Sequence, residues 1–162
     1  MWIIKYAEQF LKIKIEDILL VGDSAGGNLF LSLTYILILK CIRLSNVIFL
    51  FYPALKMCVD IFSLSYLNCI TDPILCYNLL KFCIKAYLGL NNSDDKNSFF
   101  SPLFMSENIL KEFQPIRIFG WTSDPIRDDS FYFMEKLLNL NKDVSMTEFK
   151  YFTHDFLIII LN

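Results

Sequence analysis

Apolar positions recur along this chain in two rhythms that take turns. Over residues 2–12, Ile3, Ile4, Ala7, Phe10 and Leu11 fall at helical spacing, which predicts an amphipathic helix. The run Ile18-Leu19-Leu20-Val21 that follows is short, uninterrupted and closed by Gly22, the form of a buried parallel strand. Residues 25–42 return to a helical pattern, apolar nearly all round and broken only by polar positions such as Ser32 and Thr34, so a buried helix is expected. Val47 to Tyr52 is a second buried strand, stopped by Pro53. Residues 58–90 are less regular, with a turn signal at Asp72-Pro73 and a helical pattern from about 75 to 88. The run from Asn91 to Ser98 is the most polar and reads as a surface loop. Ile116 to Trp121 is a third buried strand. Asp128 to Leu140 is an amphipathic helix with acids in its first turn, where the helix dipole favours them. Val144 to Phe152 alternates and predicts a fourth strand.

Strand, helix, strand, insert, strand, helix, strand is the order of an α/β protein with a mainly parallel sheet and flanking helices. Ligands of such sheets bind beyond the carboxyl ends of the strands. Chemistry is therefore expected just past Gly22, Pro53, Trp121 and Phe152. A length of 162 residues fits one domain.

Composition changes this picture by exclusion. The net charge is -2 with no basic run, so the Lys/Arg footprint of a nucleic-acid binder is missing. The five cysteines, at 41, 58, 69, 76 and 83, form no CxxC pair, and the chain has one histidine. Neither a disulfide framework nor a zinc site is expected, and no other metal or cofactor is called for. Free thiols point to a reducing, cytoplasmic setting. No stretch reaches the roughly 18 apolar residues of a spanning helix, and the first residues lack the apolar core of a signal peptide.

The segment Gly22-Asp23-Ser24-Ala25-Gly26-Gly27 stands between a predicted strand and a predicted helix and contains G-x-S-x-G, the nucleophile elbow. Glycines two residues to either side of the serine let strand and helix approach without Cβ clashes, and the tight turn lifts the hydroxyl clear. Ser24 also lies at a helix N-terminus, and the backbone N–H of Ala25 is a candidate oxyanion donor. The plain alternative is a glycine turn that only joins strand to helix. Asp124 follows the third strand, with Pro125 fixing the turn. A carboxylate there could hold the tautomer of an imidazole. Its plain alternative, capping the next helix, suits Asp128 and Asp129 better, because they lie nearer the helix start. His154, the only histidine, directly follows the fourth strand and has the side chain suited to taking a serine proton near neutral pH. A serine followed by an acid and then a histidine excludes the order of trypsin-like proteases.

Those motifs, with Asn28-Leu29, Tyr52-Pro53-Ala54, Thr71-Asp72-Pro73, Ser101-Pro102-Leu103 and Asp124-Pro125-Ile126-Arg127-Asp128-Asp129, resemble the hormone-sensitive lipase family of α/β-hydrolases, in order over essentially the whole chain. The resemblance implies an α/β-hydrolase fold with a short cap-like insert over about 58–92. It also implies a serine carboxylester hydrolase acting on lipid or short-chain esters, with Ser24 as nucleophile, His154 as base and Asp124 orienting it. Transient contact with a lipid surface fits such a substrate. The sequence departs from the family twice. The family's His-Gly-Gly-Gly type motif, which completes the oxyanion hole, has no counterpart before Gly22, so a partial catalytic domain is expected, with the upstream strands missing. The alternative class is a non-catalytic remnant or an incomplete gene model lacking that half of the oxyanion hole. Asp155 stands where the family usually has glycine, and a second carboxylate beside His154 is expected to raise its pKa or compete with Asp124.

Overall fold

The computed structural model describes residues 2–12, 14–58, 63–68, 70–89 and 96–154. Cys69, the polar run at 91–95 and Asp155 lie outside them. In chain order the helices and strands are α1 (Trp2–Leu11), β1 (Leu19–Asp23), α2 (Ser24–Leu39), β2 (Val47–Phe51), α3 (Leu64–Asn68), α4 (Tyr77–Leu88), α5 (Glu107–Leu110), β3 (Ile116–Ser123), α6 (Arg127–Asn139) and β4 (Val144–Thr153), with a 3₁₀ turn at Pro102–Phe104 before α5. The four strands form one parallel sheet in the order β1-β2-β3-β4. Each strand end falls within two residues of its expected place.

One face of the sheet supplies Ile48, Leu50, Ile116 and Ile118 to a core shared with Leu31 of α2 and with Phe133 and Leu137 of α6, all at most 1% exposed. A second cluster joins Met57, Tyr66, Leu80, Ile84, Leu88 and Ile126, so α3 and α4 pack over the carboxyl end of the sheet. Among the described residues no helix is long and apolar enough to cross a membrane.

Two expectations need correction. Among the described residues the run at 18–21 is buried on one side only: Leu19 is 57% exposed and Val21 58%, while Leu20 packs into the core. In register with Val21, the same face carries Phe49, and Phe49, Phe51, Phe119 and Phe149 stack across the strands. Helix α2 is likewise buried along one side only, with Leu29 and Leu39 more than half exposed. Its polar interruptions have specific partners. Ser32 donates to the carbonyl of Phe99, and the Thr34 hydroxyl donates to the carbonyl of Phe30 one turn back.

Candidate active site

The elbow forms where β1 ends at Asp23 and α2 begins at Ser24, whose φ of 43° places a non-glycine residue in the left-handed region. Such a conformation costs on the order of 1–3 kcal/mol and persists only where its surroundings over-determine it. The close approach is carried by Gly22. A Cβ there would lie 2.6 Å from the Phe30 ring and 2.8 Å from the backbone carbon of Gly26. Gly26 contributes its backbone rather than its missing side chain, since a Cβ on it would meet only Asp23 Oδ1 at 3.4 Å. Gly27 leaves room for Pro53, whose Cβ would be 3.0 Å away. Gly22→Ala is therefore expected to destabilise the protein by about 1–3 kcal/mol, as overpacking does. Gly26→Ala should stay within about 1 kcal/mol, helped by the helix preference for Ala. Urea midpoints check both, and equal costs would contradict this account of the elbow.

The three candidate side chains meet above the strand ends. Ser24 Oγ lies 2.8 Å from His154 Nε2, and His154 Nδ1 lies 2.9 Å from Asp124 Oδ2. Both His154 and Asp124 are 1% exposed. A carboxylate only accepts, so Nδ1 donates to Asp124, and in the neutral ring Nε2 is left to accept from the Ser24 hydroxyl. The second Asp124 oxygen, Oδ1, accepts the N–H of Ile126, closing a short turn into α6. Ala25 lines the space beside Ser24. Its N–H belongs to the first helical turn, where backbone donors lack intrahelical partners.

The assignment of helix capping to Asp128 and Asp129 is corrected. Neither makes a side-chain cap on α6. Asp128 Oδ2 accepts the N–H of Ser65, while the Ser65 hydroxyl donates to the carbonyl of Pro125, so this acid ties α3 to the start of α6. Asp129 is turned inward and 5% exposed. Loss of hydration raises its pKa to about 7; nearby Lys56 opposes the rise, and Asp128 and Asp124 add to it. The asparagine-like role at the turn falls instead to Asp124, through Oδ1.

Tyr52-Pro53-Ala54 and Asn28 carry no task that is legible in the sequence. In the structure they bracket the site. Tyr52, 1% exposed, sits at φ 37° immediately before a proline and donates its N–H to the carbonyl of Phe119 on β3 at 2.7 Å. Its ring lies 4.9 Å from the His154 ring and 5.4 Å from that of Trp121, centre to centre. The N–H of Ala54 donates to the carbonyl of Ser24 at 3.1 Å. Asn28 donates to the carbonyls of both Ala54 and Phe100 at 2.8 Å, and Tyr87 of α4 donates to Asn28 Oδ1 at 3.4 Å. A buried amide in an otherwise apolar helix was the signal for Asn28. A tyrosine before a proline at a strand end was the fainter one for Tyr52.

Ser24 and His154 open into a cavity of about 510 Å³. Its walls are largely apolar: Leu29, Met57, Ile74, Leu75 and Ile126, with Leu79, Leu80, Cys83, Ile84 and Tyr87 from α4. Asp72 shapes this wall from behind, accepting the N–H groups of Ile74 and Leu75. Burial raises the pKa of Tyr87 above its ordinary value.

A parallel sheet with a serine elbow at one strand end and an acid and a histidine at two others defines an α/β-hydrolase. A family model described as the alpha/beta hydrolase fold matches residues 1–158, and the chain belongs to that family. Within it the chain is similar to hormone-sensitive lipase of Homo sapiens, 36% identical over 97 residues, which is 60% of this chain and 9% of the lipase. Hormone-sensitive lipase of Ictidomys tridecemlineatus is 37% identical over 62 residues, 38% of this chain and 8% of that protein. Among solved structures, an esterase of Pyrobaculum calidifontis superposes with a TM-score of 0.87 at 20% identity, over 98% of this chain and 50% of its own. Carboxyl esterase 2 of Tuber melanosporum gives 0.86 at 22% identity, over 96% of this chain and 50% of its own. At these identities the two structures bear on the fold. The chain spans half of each of them and less than a tenth of either lipase.

Proposed function

We propose that this chain carries the ester-cleaving centre of a serine carboxylester hydrolase. The observation that carries the reading is the unbroken line from Ser24 Oγ through His154 to Asp124, with contacts of 2.8 and 2.9 Å, at the mouth of an apolar cavity. Ser24 Oγ attacks the ester carbonyl while His154 Nε2 takes its proton. The carbonyl oxygen becomes an oxyanion that accepts the N–H of Ala25. Collapse of the tetrahedral intermediate breaks the bond to the alcohol, which leaves with the proton held on His154. Water then enters by the same steps and releases the acid, restoring Ser24. Asp124 keeps Nδ1 protonated and faces the imidazolium that forms in each half-reaction.

The substrate we propose is a lipid or short-chain ester with at least one apolar side, because all the residues lining the cavity except Ser24, Asn28 and His154 carry aliphatic, aromatic or sulfur-bearing side chains. The names of the lipase and esterase relatives support that class. The free thiols Cys41, Cys76 and Cys83 support a cytoplasmic setting.

A fluorophosphonate probe tests the nucleophile. Labelling is expected at Ser24 and at no other serine of the chain, and Ser24→Ala should abolish it together with ester turnover. Labelling that persists unchanged in Ser24→Ala would refute the assignment. Complete absence of labelling in the folded parent would favour a binding remnant over an enzyme.

A further inference from the structure

We infer that Tyr52 is a positioning residue for His154, a fixed wall that sets the plane of the imidazole. The inference rests on the reading of His154 as the base. His154 is held by hydrogen bonds at its two ring nitrogens, one to Asp124 and one to Ser24. The ring is tethered through Cβ to a backbone held at the end of β4, so its side-chain torsions and the packing on its faces decide how far it can tilt. Hydrogen-bond strength falls steeply only at large misalignment, so the two bonds tolerate small tilts. Proton transfer needs the Nε2 lone pair aimed first at Ser24 and then at the leaving oxygen, so such tilts matter to the reaction.

Tyr52 limits that tilt from one flank. Its ring meets the imidazole at 4.9 Å with the planes 62° apart, an edge-type contact. A wall is useful only if it is itself immobile. Tyr52 is locked by its left-handed backbone, by Pro53 after it, by its N–H bond to Phe119 on the strand that carries Asp124, and by the Trp121 ring. Its neighbours extend the bracket to the nucleophile: Pro53 fills the space left by Gly27, and the Ala54 N–H holds the carbonyl of Ser24. One short segment after β2 thus touches the serine, the histidine and the strand bearing the acid. A left-handed tyrosine before proline is costly on both counts and is found where surrounding structure enforces it.

The test compares Tyr52→Phe, which keeps the ring, with Tyr52→Leu and Tyr52→Met, which keep bulk without a plane. Two readouts are taken on the full chain. One is the downfield Nδ1–H proton resonance of His154, the only histidine present, in ¹⁵N-histidine-labelled protein with His154→Gln as the blank. The other is kcat and KM on a short-chain ester. Tyr52→Phe is expected to keep the resonance sharp and kcat within about threefold. Leu and Met should broaden the resonance by solvent exchange and lower kcat by on the order of 10–10²-fold, with KM within about threefold. A sharp resonance and parental kcat in Leu or Met overturn the inference. So does a loss in Phe equal to theirs, which would assign the effect to the hydroxyl. Failure of both Leu and Met to fold, read by circular dichroism, would make Tyr52 a core residue and overturn it as well. The resonance is read without substrate. The expected Phe, Leu and Met pattern in a protein that turns over no ester would therefore sink the proposed hydrolysis and leave the role of Tyr52 standing.

Discussion

Asp124→Asn is expected to lower kcat on a short-chain ester by about 10⁴-fold, with the fold intact. The structure says why an amide cannot substitute. Asp124 uses its oxygens for different partners: Oδ1 accepts from Ile126 N–H and Oδ2 from His154 Nδ1–H. The backbone N–H needs an acceptor and is 2.9 Å away, so the amide oxygen stays there. The amide NH₂ is then forced toward Nδ1, where two donors would collide. The imidazole relieves this by moving its proton to Nε2, which turns a donor toward Ser24 and removes the base. Asp128→Asn and Asp129→Asn should each cost less than tenfold, because neither side chain bonds to His154. Steady-state kinetics on the three variants decide the matter. Equal losses at all three positions would mean the acid is misassigned.

Asp129→Asn should stabilise the protein at pH 8 and leave it nearly unchanged at pH 4. In the folded state burial lifts this carboxyl to about 7, whereas an unfolded aspartate titrates near 3.9. As pH rises above about 4, the unfolded chain releases this proton while the folded one retains it, so stability falls with pH across the window from about 4 to about 7. Above that window both states are ionised and this group's contribution is flat. Asparagine mimics the neutral form at every pH and removes the penalty. The width of the window, in which the opposing pull of Lys56 is already included, sets a ceiling of about 4 kcal/mol. A gain of roughly 1–4 kcal/mol at pH 8 is expected from urea midpoints. An equal gain at both pH values, or a loss at pH 8, would contradict a buried neutral carboxyl.

These two aspartates show where sequence reading reaches its limit. Asp124, Asp128 and Asp129 stand within six positions of one another after one strand. Chain order singled out Asp124 as the candidate acid, because it comes first after the strand end and before a proline. Nothing local separated the other two. Their difference arises from α3, whose Ser65 binds Asp128 from 63 residues away, and from the packing that turns Asp129 inward.

What the sequence determined by itself is what local sterics and periodicity encode. Runs such as Val47 to Tyr52 and Ile116 to Trp121, the second interrupted only by Arg117, are dense in apolar and aromatic side chains, as parallel strands are, and they read as strands without any partner. The elbow was legible because only glycine at position 22 lets the backbone of Gly26 come so near. The order serine, acid, histidine was legible because each candidate follows a strand, and parallel strands bring their carboxyl ends to one side.

Tertiary structure alone decided the rest, because it depends on neighbours distant in sequence. An apolar run cannot say which of its faces will be covered: on β1 Leu20 packs into the core, while Leu19 and Val21 face away from it. The cavity exists because α4 lies over the strand ends, which no helical pattern in residues 75–88 specifies. The meeting of Tyr52 with His154 joins residues 102 positions apart through the β2-β3-β4 register, so the wall beside the imidazole became visible only when the sheet set both strand ends side by side.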